Sequence, residues 1–380
     1  MEKNPIYNEI ESIDAEMGSL FSRRMELSAQ LAREKGAGGV RTPDAAWERE
    51  CRARFREQAG ETLEGYAGVL YSALLDVSHS YQAAAAGSGS PYCARISAAL
   101  EITPKLFPEK ANVACQGVEG ANSQAAVEKL FREPSISYVS SFEAVFSAIN
   151  SGFCRYGVLP LENSTAGSVN RIYDLMMQYN FSIVRSVRIK IDHDLLACPG
   201  ARLEDIREVF SHEQALSQCA GFLRGYPGIK ITPCENTAAA ARMVAESGRT
   251  DIAALSSHSC AELYGLHTLA SSVQDAGNNH TRFICIGRDL EIYPGADRTS
   301  VMLTLPHRPG SLYRVMARIN ALGINLTKLE SRPLPDRDFE FMFYFDLDTP
   351  IYSPKLIQLM ADLESLCESF RYLGSYSEIV

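Results

Sequence analysis

The chain has 380 residues, 46% of them apolar, with a formal net charge of −9 and ten cysteines; that length exceeds one hydrophobic core and predicts two or three globular domains, while the acidic balance without a basic tract argues against a nucleic-acid partner. No run approaches the roughly 20 apolar residues that span a bilayer, and the start MEKNPIYNEIES has no basic-then-apolar leader, so a cytoplasmic protein with no membrane partner is expected. The cysteines are scattered without CxxC or Cys/His ligand spacing, which predicts reduced core thiols, no disulfide framework and no metal.

From the start, Ile6, Ile10, Ile13, Met17, Leu20, Leu27 and Leu31 recur in steps of three and four, the apolar stripe of a long helix. Arg24 fills the gap in that stripe and Lys35 continues it. A cation on a line pointing at a core calls for an anion, from the protein or from a ligand, although Lys35 at the helix end can also reach solvent. A second helix opens with Thr42 as N-cap and Pro43 at its first position and runs through Trp47, Cys51 and Phe55. A third, over residues 62–86, carries Ser78 and Gln82 one turn apart, able to meet a ligand oxygen or simply water. The small-residue segment AAAAGSGSPY, residues 83–92, then marks a boundary.

Residues 111–287 alternate strands with helices. NVACQG is a short apolar strand, and GVEGANSQAAVEKLF a glycine turn opening a helix; without GK[ST] it is no P-loop, and either a tight turn or an anion-binding helix start with Ser123 fits it. Three more strands end in polar clusters that lead into helices: Glu162, Asn163, Ser164 and Thr165 in PLENSTAG; Ser211, His212 and Gln214 in SHEQALSQC; Asn236 and Thr237 in ENTAAAA. In open α/β sheets, ligands sit beyond such strand ends. A last apolar strand, FICIG, is preceded by Thr281 and Arg282. After a second boundary at residues 291–299 the order is strand SVMLTL, helix from Ser311, strands NLTKLESR and EFMFYFDL, helix from Ser353, strand RYLGSY. This is the βαββαβ, ferredoxin-like plan.

Three ordered sets of motifs carry resemblances. The long, short and long helices, with SRRMELSAQLAREK in the first, resemble the all-helical chorismate mutase over about residues 6–86. That resemblance implies a dicarboxylate pocket in which Arg24 and Lys35 meet a carboxylate and the ether oxygen, with Asp44, Glu48, Ser78 and Gln82 at further positions. Two departures stand out: Tyr7 occupies the place of the family's first arginine, and Trp47-Glu48 that of its Arg-Glu pair. A register shifted by two restores Arg49-Glu50 but puts Ala46 where Asp44 fits, and both registers stay open. The rearrangement of chorismate is pericyclic, so the family's arginines work by holding the compact geometry and stabilising charge on the ether oxygen.

PLENSTAG, SHEQALSQC and NHTRF together resemble prephenate dehydratase over about 180 residues, with Glu213 where that family usually has proline. The resemblance implies two α/β lobes, similar to a periplasmic binding protein, that close on prephenate without metal or cofactor. The residues it implies for the site are Glu162, Asn163, Ser164, Thr165, Ser211, Gln214, Thr237, Thr281, Arg282 and Phe283. Thr281 is expected to donate to the leaving hydroxide, with Glu162 or a water as the other source of the proton. Arg282 is expected to clamp the pyruvyl carboxylate, and Phe283 to wall the ring.

PGSLYRV and LESRP resemble the ACT regulatory domain, which implies phenylalanine binding through Gly310, Ser311, Leu312, Asn325, Glu330, Ser331, Arg332 and Pro333, with Gly310 letting a ligand approach the backbone. The expected organisation is a multidomain α and α/β chain: a mutase-like helical domain at 1–88, a dehydratase at 111–287 and an ACT domain at 299–380. Its expected function is conversion of prephenate to phenylpyruvate, with weak chorismate mutase activity, feedback by phenylalanine, and assembly as a homodimer or homotetramer. Two rival readings remain at this point: a dehydratase with an inactive helical scaffold, and a non-catalytic sensor of small molecules.

Overall fold

The computed structural model describes residues 4–36, 45–85, 91–335 and 337–380. Four helices open the chain, α1 (Pro5–Gly36), α2 (Ala45–Gln58), α3 (Glu64–Ala85) and α4 (Pro91–Ile102). Strands and helices then alternate through β1 (Lys110–Gln116), α5 (Asn122–Leu130), β2 (Glu133–Val139), α6 (Phe142–Asn150), β3 (Tyr156–Asn163), β4 (Gly167–Ser168), α7 (Asn170–Gln178) and β5 (Ser182–Lys190). A second series contains β6 (Asp194–Ala197), β7 (Glu208–His212), α8 (Glu213–Gln218), α9 (Ala220–Arg224), β8 (Lys230–Cys234), α10 (Thr237–Ser247), β9 (Ile252–Ser256), α11 (His258–Tyr264) and β10 (His267–Ala270), before β11 (His280–Gly287). The chain ends with β12 (Arg298–Thr304), α12 (Ser311–Ala321), β13 (Asn325–Pro333), β14 (Phe341–Asp348), α13 (Pro354–Leu366), β15 (Ser369–Tyr376) and β16 (Glu378–Ile379).

By packing, the chain divides into two units. One comprises Met1–Arg95, Pro306–Gly323 and Pro354–Cys367. Its core includes Met25, Ala29, Ala67, Tyr71 and Leu75, whereas the stripe Ile6, Ile10, Ile13, Met17, Leu20, Leu27 and Leu31 is 40–65% exposed rather than core. The reason is length: the 32 residues of α1 make a rod of about 48 Å against about 33 Å for the 22 of α3, so α3 cannot cover the whole of α1. A polar seam joins α3 to α12 and α13. Ser80 Oγ donates to both oxygens of Asp362 at 2.9 and 2.8 Å, and Arg318 Nη2 donates to the Asp76 carbonyl at 2.5 Å.

The other unit holds three sheets. The first runs β16-β5-β11-β3-β1-β2 with β4 paired to β3, the second β10-β6-β9-β7-β8. Their central strands are buried on both faces, which is why β3 and β9 read as continuous apolar runs rather than alternating ones. The chain crosses between these lobes twice, after β5 and before β11, and the crossings run side by side: Ile191 N–H donates to the Asn279 carbonyl and Val273 N–H to the His193 carbonyl, both at 2.8 Å. At the rim, the Tyr264 hydroxyl of the second lobe donates to the Glu119 carbonyl of the first at 2.6 Å.

The third sheet has the order β13-β14-β12-β15. It lies against the first, where Gly374 of β15 meets the Ile183 carbonyl so closely that no side chain fits there. β16 then adds a parallel edge to β5, a strand the sequence reading did not anticipate. Residues 86–90 of the expected linker lie outside the described residues, as does the expected N-cap and proline at Thr42 and Pro43, and α4 was not anticipated.

Candidate active site

A cavity of about 180 Å³ opens where the two lobes and the crossings meet, lined by Thr165, Ser217, Gln218, Gln274, Asp275, Ala276 and Asn279. The end of β3 leads into the lining, with Asn163 two residues before Thr165. Asn163 folds its side chain back so that Oδ1 accepts from the N–H groups of Thr165 and Ala166 at 3.0 and 2.9 Å, an Asx turn that fixes the loop. The amide nitrogen is thereby aimed outward and donates to Thr281 Oγ1 at 2.9 Å and Asn279 Oδ1 at 2.7 Å. Ser164 locks the loop to β11, donating to the Asn278 carbonyl and accepting from His280 N–H, both at 2.9 Å.

The network continues into the second lobe. Asn279 is 2% exposed and donates to Gln218 Oε1 at 2.9 Å, and the same oxygen lies 3.1 Å from His193 Nε2. Since Gln218 Oε1 can only accept, His193 carries its proton on Nε2, and the buried Nδ1 is left without a partner. Burial pushes the His193 imidazole below its usual range, against the opposing pull of Gln218, Asp192 and Asp194. The sign of the consequence is definite. As pH falls through the unfolded value of about 6.5, the unfolded chain takes up a proton that the folded one resists, so stability present above that pH declines below it. Thermal unfolding should therefore lose less between neutral and mildly acidic pH in His193→Gln than in the unmodified protein, and an equal loss would remove His193 from this role.

Asp275, in the cavity lining, is anchored by Gly221, whose N–H donates to its two oxygens at 2.9 and 3.0 Å. A Cβ at Gly221 would stand 2.5 Å from Asp275 Oδ1, so only glycine permits this approach.

Several expected site residues sit elsewhere. Side chains alternate across a strand, so Thr281 and Arg282 lie on opposite faces of β11; neither lines the cavity, and Thr281 is linked to its lining residue Asn279 through Asn163. Arg282 takes the opposite face and is 5% exposed, hydrogen-bonded through Nη2 to Asp346. Its Nε lies 2.8 Å from Glu162 Oε1 at an angle too poor for a hydrogen bond, so this contact is charge against charge. Burial draws the guanidinium's pKa down, but the charge of Asp346 outweighs that and the net shift is upward. A clamp on substrate is not available from there. Glu162, also 2.8 Å from Lys328 Nζ, is committed to two cations rather than free to act as an acid.

Phe283 shares the face of Thr281 but one pleat deeper, 2% exposed in the core with Val113, Val158 and Val187. Ser211 is fully buried and donates to the Leu255 carbonyl at 2.6 Å. Gln214 is exposed in the first turn of α8; the glutamine that reaches the cavity is Gln218, one turn later on the same face and already visible in SHEQALSQC. Thr237 opens α10 under the cap of Asn236, away from the cavity lining. Asn279, Gln274 and His193 were missed; the NNH preceding Thr-Arg-Phe was the available signal for Asn279.

In the helical unit, Arg24 Nη1 donates to Ser78 Oγ, and its guanidinium carbon lies 5.9 Å from the Tyr71 ring centre. Ser78 is 2% exposed, Gln82 is half-buried, and Glu48 Oε1 is 2.5 Å from His79 Nε2. Asp44 lies outside the described residues, and so does the side chain of Lys35. Tyr7 is 62% and Trp47 48% exposed. Gly310 opens α12 at φ 83°, with nothing within 4 Å of where a Cβ would stand; its glycine is set by backbone conformation, not by a close approach. Ser311 and Leu312 are half-buried in the first turn of that helix. On β13, Asn325, Ser331 and Pro333 are exposed, but Glu330 accepts from Ser168, and Arg332 donates to both oxygens of Asp174 at 2.7 and 3.0 Å. The expected phenylalanine ligands Glu330 and Arg332 therefore face the first lobe.

Comparisons with known proteins agree with this anatomy. The prephenate dehydratase family model matches residues 113–291, and the chorismate mutase type II model residues 6–83. The chloroplastic arogenate dehydratase/prephenate dehydratase 1 of Arabidopsis thaliana is 36% identical over 284 residues, 70% of this chain and 72% of that one. Among solved structures, the prephenate dehydratase of Arthrobacter aurescens in complex with L-Phe is 27% identical with a TM-score of 0.65, covering 70% of this chain and 90% of that one. A protein described as a novel type of quorum quenching acylase is 31% identical with a TM-score of 0.64, covering 70% and 97%. Further Arabidopsis relatives are likewise chloroplastic, a finding that overturns the cytoplasmic location expected from the sequence. With the matching cleft and the matching helices on one chain, the protein belongs to the prephenate dehydratase family and carries a chorismate mutase type II domain ahead of its dehydratase domain.

Proposed function

We propose that the protein makes prephenate from chorismate in its helical domain and converts prephenate to phenylpyruvate, carbon dioxide and water in the cleft, with Thr281 as the donor to the leaving hydroxide. The observation that carries this is the bond from Asn163 Nδ2 to Thr281 Oγ1. An amide donor on that oxygen turns the threonine's own proton away from Asn163, and stabilises negative charge on the oxygen as the proton is shared. The ring carboxylate leaves as carbon dioxide, its bonding pair enters the ring, the ring carbon–oxygen bond breaks, and the departing oxygen takes the proton; water returns one to Thr281. No cation lines the cavity, so the pyruvyl carboxylate falls to neutral donors such as Thr165, Ser217, Gln218 and Asn279. Arogenate, which carries an amino group in place of the ketone, is the second compound to assay because it appears in the relative's name.

The modules assigned are mutase at 1–88, dehydratase at 111–287 and, at 299–380, an ACT-type sensor through which phenylalanine acts as feedback inhibitor. The βαββαβ order and the relative bound to L-Phe support that assignment. The exposed α1 stripe supports a homodimer, since a second copy would cover it. The test is purified protein assayed separately with chorismate and prephenate, beside Thr281→Ala. Dehydratase kcat should fall by on the order of 100-fold, as for loss of one transition-state donor, with the unfolding midpoint unchanged. Undiminished turnover in that variant would sink the assignment.

A further inference from the structure

Asn163 and Thr281 are cross-strand partners on β3 and β11, and so are the residues beside them, Glu162 and Arg282, which face the other way. Behind the sheet this second pair meets the C-terminal sheet. Arg282 is bonded to Asp346 of β14, and Asp346 also accepts from Ser300 Oγ at 2.5 Å. Lys328 of β13 reaches Glu162 Oε2 at 2.8 Å and donates to Ser168 Oγ at 2.6 Å, while Ser168 donates to Glu330. Ser168 closes the loop that Asn163 opens, so the loop is gripped at both ends from β13. The network is also incomplete: the fully buried Tyr173 hydroxyl, within the electrostatic reach of Glu162 and Asp346, has no hydrogen-bond partner. A donor left unused in this arrangement is one a second arrangement can satisfy.

We propose that Lys328, with Glu162, Arg282 and Asp346, forms a positioning network that holds the Asn163–Thr281 pair in donating geometry and carries movements of β13 and β14 to it. The regulatory half of this rests on the phenylalanine-sensor reading. None of the four touches substrate; they act through the strands they sit on. Asn163 donates to Thr281 at 2.9 Å, an ordinary hydrogen-bond length, and a shift of about half an ångström in the loop would carry it past the roughly 3.2 Å end of the usual range.

The experiment compares the full chain with Lys328→Met, Lys328→Arg and Glu162→Gln, measuring prephenate kcat and KM with and without millimolar phenylalanine, and phenylalanine binding by calorimetry. Lys328→Met and Glu162→Gln should lower kcat about tenfold with KM within about threefold, and Lys328→Arg should restore most of it, a pattern that general loss of stability does not produce. Both variants should still bind phenylalanine while the difference in turnover it causes shrinks. A kcat within about twofold of the unmodified protein in Lys328→Met, or full inhibition retained in it, overturns the proposal. If the unmodified protein binds no phenylalanine, the sensor reading fails, and the kcat comparison alone decides the positioning claim.

Discussion

Arg282→Ala is expected to cost the folded protein about 3–5 kcal/mol, because it breaks a buried ion pair from one side only. Asp346, the partner left behind, is fully buried and keeps a hydrogen bond from Ser300, but loses its cation, and its neighbours Tyr344 and Tyr376 are buried phenols that carry no compensating charge. Protein interiors tolerate replacement of both members of such a pair far better than removal of one. The double variant Arg282→Met with Asp346→Leu should therefore recover much of the loss, and urea unfolding with an unchanged slope is the measurement. The alternative, that Arg282 clamps substrate, predicts the reverse pattern: an unaltered unfolding midpoint and a KM raised by about 100-fold. That result would return Arg282 to the cleft.

Why Arg282 was legible as special but not as structural follows from its neighbours. Thr-Arg-Phe ahead of an apolar strand marks the strand entry, and the period of two says that only alternate residues share a face. Which face meets the cavity depends on Asn163 across the ladder and on a third sheet lying behind, and neither is a local property. The same limit explains β13: NLTKLESRP alternates exposed and half-buried along its length, but that Lys328, Glu330 and Arg332 meet Glu162, Ser168 and Asp174 is set by tertiary packing. The buried strands β1, β3 and β11 and the βαββαβ order could be read directly, because continuous apolar runs bounded by turns have few other uses. Gln214 was preferred to Gln218 although both lie on one helical face, since nothing in the sequence says how far along α8 the cavity begins. The α1 stripe was read correctly as apolar and misplaced in the chain's own core, since periodicity cannot tell a core from a surface awaiting a partner.

The largest effect on catalysis is expected in the helical domain, where Arg24→Ala should lower mutase kcat/KM by on the order of 1000-fold. Arg24 is half-buried between the Ser78 hydroxyl and the Tyr71 ring, both uncharged, and among the described residues no carboxylate pairs with it. A cation so placed can meet an anion that arrives with the ligand, and removing it takes away the charged donor that Arg24 is expected to offer chorismate's carboxylate. By the resemblance, the pocket is nonetheless expected to be short of one cation. Trp47 stands where the resembled family has arginine, and an indole offers one donor and no charge, so turnover is expected to fall well short of the roughly 10⁴ to 10⁸ M⁻¹s⁻¹ usual for enzymes, and Trp47→Arg should raise kcat/KM by about tenfold. Arg49 is the control. Glu48 points at His79 of α3, which places positions 47 and 49 on opposite flanks of α2, so only one of them can turn toward Arg24. If Arg49→Ala proves as damaging as Arg24→Ala while Trp47→Arg does nothing, Arg49 is the second arginine of the pocket and Trp47 belongs to its outer wall.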